Sequence, residues 1–191
     1  MSASTPHVIV ISPVGDLEHD LSDRVGETVA RVFGYSTEIH SLLQDIEFVR
    51  DPERRQYHST PVLEKLAQSA PPAALKVLAI VKVDLFIPIL THVYGEAQLN
   101  GRACVVSTHR LQEGLLLAGD PERFRCRVAK EAVHELGHTF GLRHCKDPSC
   151  IMHYCRSIKD VDKKSPELCR YCRIMLDDEI RRISGIEGLK N

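Results

Sequence analysis

Residues 133–145 read VHELGHTFGLRHC, and the spacing within this stretch says more about the structure than any other part of the chain. His134 and His138 are four positions apart, so in a helix both imidazoles leave the same face and can bind one metal ion. Glu135 follows the first histidine, where its carboxylate can reach a water on the metal without itself being a ligand. The stretch therefore predicts a helix that carries a metal site.

The sequence after this helix supplies a third histidine. Gly141 can adopt a backbone conformation that is closed to other residues, and so can end the helix sharply. The resulting turn would bring His144 back towards the first two histidines. Three neutral imidazoles leave the fourth position of a tetrahedral zinc ion open, which distinguishes a catalytic zinc site from a structural one.

An open zinc site with a carboxylate beside it is suited to amide hydrolysis. Zinc lowers the pKa of its bound water from about 15.7 towards 7 and polarises the scissile carbonyl. Glu135 would accept the proton of that water as it attacks, and would then pass the proton to the leaving amine. We therefore predict a zinc-dependent metallopeptidase, either an aminopeptidase or an endopeptidase, that hydrolyses peptide bonds with a zinc-bound water activated by Glu135.

The pattern HExxHxxGxxH is the zinc motif of the metzincin metalloproteases. Metzincins place a methionine in a tight turn beneath the metal, and Met152 lies eight residues beyond His144. Together with the cysteines around it, this run resembles the archaemetzincin family, although the spacing from the methionine to the last cysteine pair is slightly shorter than is usual there. The resemblance implies a metzincin-like α/β (α+β) fold. Such a fold has a mixed twisted sheet, a zinc-site helix and a small irregular, zinc-stabilised C-terminal lobe.

Five of the seven cysteines lie close together in the C-terminal part of the chain. Cys145 and Cys150, followed by Cys169 and Cys172, form two pairs with the spacing of a zinc hook, which predicts a tetrathiolate site. Four thiolates saturate zinc, so this ion would be structural, and two zinc ions are expected in all. The alternative is a loop with reduced thiols or disulfides. Cys155 is left over, either as a substitute for Cys150 or as a free thiol.

One tyrosine occupies a position with a possible catalytic role. In astacins and serralysins, a tyrosine two positions after the turn methionine reaches the zinc and helps to stabilise the oxyanion. Tyr154 stands at that position relative to Met152. The similarity to astacins and serralysins at this position suggests a catalytic role for Tyr154, although the archaemetzincin family does not require a tyrosine there. The alternatives are that Tyr154 lines a specificity pocket or simply packs.

Residues 103–108 (ACVVST) are predicted to form a short strand before the zinc helix. The strand resembles the edge strand to which metzincins add an extended peptide substrate, and the alternative is an ordinary core strand. Cys104 and Cys126 are interpreted as small buried hydrophobic residues. Asp84 has either a structural role or a supporting role beside the site.

Strands and helices alternate along the first part of the chain, which indicates an α/β domain. Strands are predicted at residues 7–12, 37–42, 76–85 and 103–108. Helices are predicted from Asp16 to Gly34, over residues 61–67, from Asp120-Pro121-Glu122 to residue 140, and from Ser165-Pro166-Glu167 to residue 183. Residues 50–61 (RDPERRQYHSTP) are predicted to form an exposed loop.

We predict a single catalytic domain over residues 1–191, with an N-terminal subdomain at 1–141 and a C-terminal subdomain at 142–191 that contains the structural zinc. The formal net charge of -1 gives no reason to expect nucleic acid or an anionic membrane as a partner. A basic N-terminal segment and a stretch of roughly 18 apolar residues are both missing, so a cytoplasmic protein is expected. The expected partner is a peptide or unstructured protein substrate, and the chain is expected to be a monomer.

Two other functions compete with hydrolysis. The first is a catalytically silent zinc-binding scaffold that binds peptides without cleaving them, but a scaffold gains nothing from Glu135 beside an open metal position. The second is a thiol–zinc module that binds nucleic acid. The sequence offers no basic patch for such a module, no Trp and only 5% aromatic residues.

Overall fold

The most apolar stretch of the chain forms the centre of a mixed five-stranded sheet in the computed structural model, which describes residues 7–115 and 119–185. All neighbouring strands are parallel except the last pair, β8 and β7, which is antiparallel. In the order in which they pair, the strands are β2 (Thr37–Ile39), β1 (Val8–Pro13), β5 (Ala74–Val81), β8 (Ala103–Ser107) and β7 (Gly95–Ala97). The sheet confirms the predicted mixed α/β architecture.

Among the described residues, five α-helices and a second, smaller sheet lie around these strands. The helices are α1 (His19–Phe33), α2 (Ser59–Ser69), α3 (Pro121–Thr139), α4 (Ile158–Lys163) and α5 (Arg170–Ile183). The smaller sheet contains β3 (Arg50–Asp51), β4 (Gln56–His58) and β6 (Leu85–Phe86), in that order. None of the helices described is both long and apolar enough to span a membrane.

The two faces of the main sheet pack against different helices, because successive side chains of a strand point to opposite faces. Ile9, Ile11 and the other residues on their face join a core cluster with α1, α3 and α5. Val10 and Val77, on the opposite face, pack with α2. The sheet is therefore covered on both faces. Helix α3, which carries His134 and His138, covers the same face as α1 and α5.

Helix α3 begins as its sequence predicts. The side chain of Asp120 accepts a hydrogen bond from the backbone N–H of Arg123 at 2.9 Å, and Pro121 occupies the first turn. Gly34 ends α1 in a left-handed conformation, also as predicted. The start of α1 differs from the prediction, because its N-cap is Glu18 and not Asp16.

Several predicted boundaries are wrong. The loop predicted at residues 50–61 contains β3, β4 and the start of α2. The two strands were missed because they are short and lack an apolar run. Helix α5 begins at Arg170 and not near Ser165. The Ser165 N–H donates to the carbonyl oxygen of Ser149 and the Glu167 carbonyl accepts from the Ile151 N–H, so these backbone groups bond to another segment and not within a helix. Helix α4, a single short segment with a capping box, lies within a predicted loop. Cys104 is buried as predicted, but Cys126 is exposed.

The prediction of the edge strand also requires a correction. Residues 103–107 form β8, which pairs with β5 on one side and β7 on the other, so the core-strand alternative is the right one. The edge strand that contacts α3 is β7. The subdomain division at residue 141 remains a prediction, and its outer limits, residues 1–6 and 186–191, lie outside the described residues.

Candidate metal centres and their cavity

The three predicted histidine ligands converge on one point. The ligand atoms of His134, His138 and His144 all lie within 4.8 Å of one another, and the Nε2 atoms of His134 and His138 are 3.2 Å apart. A tetrahedral zinc ion with Zn–N bonds of about 2.0–2.1 Å would hold its ligand nitrogens about 3.3 Å apart. The separation of the two helical histidines therefore fits zinc.

Backbone carbonyls orient the first two imidazoles. The Nδ1–H of His134 donates to the carbonyl oxygen of Ile151 at 2.9 Å, and the Nδ1–H of His138 donates to that of Leu142 at 2.7 Å. Because a carbonyl can only accept, the proton of each neutral ring resides on Nδ1. The lone pair on Nε2 is then free to bind a metal, which is the arrangement usual for histidine ligands.

Burial keeps the three rings neutral. Desolvation lowers the pKa of His134 well below its ordinary value, and it also lowers the pKa of His138 and of His144. Neighbouring positive groups act in the same direction; Lys164 lowers the pKa of all three. A neutral imidazole is the form that binds metal, so each ring is in the protonation state that a metal ligand requires.

The third histidine is brought back by a glycine turn. Gly141 has φ +85°, and the backbone N–H of Leu142 donates to the carbonyl oxygen of Gly137 at 3.0 Å. Any side chain at position 141 would be strained by this φ and would also run into the Oδ1 atom of Asn100. The turn thus depends on glycine, as the sequence indicated.

Glu135 extends from α3 towards the edge strand β7. It is buried, and a Cβ atom on Gly95 of β7 would lie only 2.6 Å from the Glu135 Cγ atom. Burial raises the pKa of Glu135 well above its ordinary value, and the nearby carboxylate of Glu131 raises it further. The carboxylate lines a cavity together with the three histidines.

Met152 lies beneath the histidines, as predicted. It is fully buried in a tight turn, which the backbone N–H of His153 closes by donating to the carbonyl oxygen of Cys150 at 2.9 Å. A Cβ atom on Gly137 would lie 2.5 Å from the Met152 sulfur, so the methionine packs directly against the helix between the two histidines.

Four cysteines form a second candidate metal centre. The sulfur atoms of Cys145, Cys150, Cys169 and Cys172 all lie within 4.8 Å of one another, and those of Cys145 and Cys169 are 3.8 Å apart. A tetrahedral zinc ion with Zn–S bonds of about 2.3 Å separates its sulfurs by about 3.8 Å. Cys155 is not part of this group. The four cysteines brought together are therefore those that the spacing indicated.

The cavity beside the histidines has a volume of about 360 Å³. Its lining includes Tyr94, which precedes β7, and Glu96 of β7. Tyr154 and Cys155, from the segment after His144, also line it. The ring centroids of Tyr154 and His144 are 5.0 Å apart, and Tyr154 is 44% exposed. Burial raises the pKa of the Cys155 thiol to about 11, so this thiol stays protonated at neutral pH. Tyr154 thus borders the cavity, and its predicted role remains open.

A buried ion pair beside the site has no counterpart in the sequence-based prediction. The Lys164 Nζ atom lies 2.7 Å from a carboxylate oxygen of Glu131 and 3.5 Å from Nδ1 of His134. Burial alone would lower the pKa of Lys164, but Glu131 holds it above its ordinary value. Glu131 is one helical turn before Glu135, and this spacing is the one feature of the sequence that places Glu131 near the site. Nothing in the local sequence marks Lys164.

Asp84, whose role the sequence left undecided, has a structural role. Its carboxylate accepts two hydrogen bonds from Arg110, both at 2.7 Å, and one from Gln56 at 2.9 Å. Gln56 also donates to the carbonyl oxygen of Thr91. The group therefore anchors the segment that precedes β7 and lines the cavity.

A family model, curated relatives and solved structures all show similarity to one group of peptidases. The model of peptidase family M54 matches residues 70–178. An archaemetzincin of Methanopyrus kandleri is 46% identical over 107 residues, which are 56% of this chain and 58% of that protein. A crystal structure of archaemetzincin from the same organism has a TM-score of 0.83 at 33% identity, covering 95% of this chain and 100% of that one. A crystal structure of a zinc-dependent peptidase from Methanocorpusculum labreanum has a TM-score of 0.79 at 29% identity, covering 88% of this chain and 99% of that one.

Proposed function

This chain belongs to peptidase family M54, the archaemetzincins, and from this premise we propose that it hydrolyses peptide bonds at the three-histidine centre with Glu135 as general base. One observation carries the proposal. The histidine ligand atoms converge at a cavity that Glu135 also lines, and Glu135 lies on the same helix as two of them. Three histidine ligands with a buried carboxylate beside them are typical of a hydrolytic zinc site, whereas structural zinc sites have four protein ligands.

The residues present fit a catalytic zinc ion. His134, His138 and His144 would hold it through neutral imidazoles, and the separation of the two helical nitrogens suits a tetrahedral ion. When bound, zinc supplies a Lewis acid that polarises the scissile carbonyl and makes a water more acidic. With only three ligands from the protein, the ion would remain able to act on water and substrate.

Glu135 performs the proton transfers. Its buried carboxylate accepts a proton from the water that attacks the carbonyl carbon, and donates that proton to the nitrogen of the leaving amine. Burial raises the pKa of Glu135, and the ionised form of a carboxylate with a raised pKa is a stronger base than an exposed carboxylate. Contact with β7 holds the side chain in one place.

The substrate is an extended peptide or an unstructured segment of a protein. Within the described residues, β7 pairs with β8 on one side, and its other edge faces the cavity. A peptide can add to this free edge through main-chain hydrogen bonds, which give affinity without demanding particular side chains. Tyr154 borders the same space and is proposed to stabilise the oxyanion through its hydroxyl group.

The four cysteines would hold a second, structural zinc ion. Four thiolates leave no open position, so this ion does not take part in hydrolysis. Cys145 directly follows His144, and its backbone N–H donates to the carbonyl oxygen of Met152 at 2.9 Å. A zinc ion there would therefore fix both the third histidine and the turn beneath the site.

Cleavage of a mixed peptide library by zinc-loaded protein tests the proposal, with mass spectrometry as the readout. The matched control is Glu135→Gln, which keeps the size of the side chain and removes its basicity. Products are expected from the wild type, with a rate reduced by about 10²- to 10⁴-fold in the variant. If neither protein cuts while both hold zinc, the chain is a zinc-binding scaffold. Equal cutting by both would overturn the role of Glu135.

A further inference from the structure

The edge strand carries one charged residue, Glu96, which faces away from the zinc helix. Glu96 pairs with Val105 of β8, and Val105 belongs to the core on the α2 side of the sheet. Its neighbours Gly95 and Ala97 pair with Val106 and Cys104, which belong to the core on the α3 side. Glu96 is nevertheless one of the residues that line the cavity, and its side chain lies on the face of β7 opposite the face that Glu135 contacts.

Two hydroxyl groups hold the Glu96 carboxylate in a fixed position. The Ser59 hydroxyl donates to Oε2 at 2.5 Å, and the Thr60 hydroxyl lies 2.9 Å from Oε1 and 3.1 Å from Oε2. Both residues belong to the first turn of α2, and the positive end of a helix dipole favours a negative charge nearby. The carboxylate is therefore oriented before any substrate arrives.

The negative charge of Glu96 has no cationic partner within ion-pair distance in the part of the chain that the structure describes. The other acidic groups of the cavity differ in this respect, because Glu131 is paired with Lys164 and Glu135 is assigned to catalysis. A carboxylate has about four acceptor positions, and the two hydroxyls occupy only some of them. Arg156, an exposed cation of the cavity lining, makes no ion pair with Glu96.

The geometry of strand addition determines which part of a substrate meets Glu96. In a peptide paired with β7, side chains alternate between the two faces, so the residue that enters the cavity beside α3 has neighbours that point to the α2 side. Building on the function proposed above, we propose that Glu96 selects peptides with a cationic group next to the residue in the cavity. The group is an amino or guanidinium group, from a Lys or Arg side chain or from the free N-terminus.

Matched peptides that differ in one position test this selectivity. Each peptide carries Lys or the uncharged, similarly shaped norleucine at one position near the cleaved bond, and is made with a free or an acetylated N-terminus. Glu96→Gln keeps the hydrogen-bonding size of the side chain and removes its charge. Glu64→Gln removes an exposed carboxylate from the same helix region, α2, and serves as the control.

The wild type and the Glu64→Gln variant are expected to prefer the cationic peptide by about 10- to 100-fold in kcat/KM, the range for a hydrogen bond between charged groups. In Glu96→Gln, this ratio should fall towards one. If the preference follows the free N-terminus and not the Lys side chain, the cation is the terminal amino group. A ratio near one in the wild type, or an unchanged ratio in Glu96→Gln, overturns the proposal.

Binding measurements separate this inference from the hydrolysis on which it rests. Peptide affinity is measured by fluorescence anisotropy on the zinc-loaded Glu135→Gln protein, with and without Glu96→Gln. A cationic preference in binding that Glu96→Gln abolishes supports the inference even if no peptide is cut. Cleavage without any cationic preference would leave the proposed function intact and reject the role of Glu96.

Discussion

Gly95 allows Glu135 to lie against the edge strand. A Cβ atom at this position would be 2.6 Å from the Glu135 Cγ atom and 2.6 Å from the Val105 carbonyl oxygen. Gly95→Ala should therefore displace the carboxylate, reduce kcat by about 10- to 100-fold and lower the free energy of unfolding by about 1–3 kcal/mol. Steady-state kinetics and urea denaturation measure the two effects.

A double-mutant cycle identifies the contact responsible. In a Glu135→Ala background, the Gly95→Ala substitution should cost less stability, because the side chain with which it collides has been shortened. The contact with the Val105 carbonyl remains, so part of the cost should persist. Equal losses in both backgrounds would show that Glu135 is not displaced.

The residues predicted well from the sequence are those whose positions a single helix or turn determines. His134, Glu135 and His138 lie within two turns of α3, and Gly141 needs only its own φ to redirect the chain to His144. Lys164 is 33 positions from Glu131, and only the folded chain brings the two together. Cys126 was wrongly predicted to be buried because its residue type, and not its helix face, guided that prediction.

Helix α4 is attached to α3 by buried polar contacts that make stability depend on pH. Arg127, whose side chain is 4% exposed, donates hydrogen bonds to both carboxylate oxygens of Asp162 at 2.7 and 2.8 Å. These bonds lower the pKa of Asp162. The pair therefore stabilises the fold fully above the unfolded pKa of about 3.9, and its contribution is lost as the pH falls through the lower folded pKa.

Asp162→Asn should lower the free energy of unfolding by about 2–3 kcal/mol at neutral pH, since Arg127 loses a charged partner. The difference between variant and wild type should shrink as the pH falls below about 4. Urea denaturation at a series of pH values measures it. Asp16→Asn, which removes an exposed aspartate, is the control and should show little change. A difference that does not depend on pH would contradict the assignment to this pair.

We expect the segment between α3 and α5 to depend on the zinc ion proposed at the four cysteines. Cys172→Ser should reduce the zinc content from two ions per chain to one and speed amide exchange around Met152, since a ligand is lost from a closed site. Cys155→Ser is the matched control and should retain both ions, because Cys155 lies outside the cysteine group. Elemental analysis and hydrogen exchange provide the readouts. Loss of an ion from Cys155→Ser but not from Cys150→Ser would show that Cys155 is the ligand.

Elements with strong local signals were predicted, and elements created by pairing were not. The Asp120 cap and Pro121 mark the start of α3, and the apolar run of residues 76–81 marks β5. The edge strand β7 has the sequence Gly-Glu-Ala, which has no apolar alternation. It is a strand because β8 offers hydrogen bonds to it, so its role could not be predicted from its own residues.

The complete fold brings together three parts of the chain that are separate in sequence. The edge strand β7, the helix α3 and the segment with His144 and Tyr154 all border one cavity. The α/β class followed from the alternation of strands and helices, but the order β2-β1-β5-β8-β7 did not, because crossover connections leave no local trace. The choice of the edge strand, and with it the placement of Glu96, therefore required the structure.

The claim on which the account depends is that the three histidines hold zinc with one position left free of protein ligands. Anomalous diffraction at the zinc edge, from crystals of protein purified with zinc, tests it most directly. The account predicts one peak among the Nε2 atoms of His134, His138 and His144, with no fourth ligand from the chain, and a second peak among the four cysteine sulfurs. Absence of the first peak, or a fourth ligand supplied by Cys155 or Glu135, would contradict it.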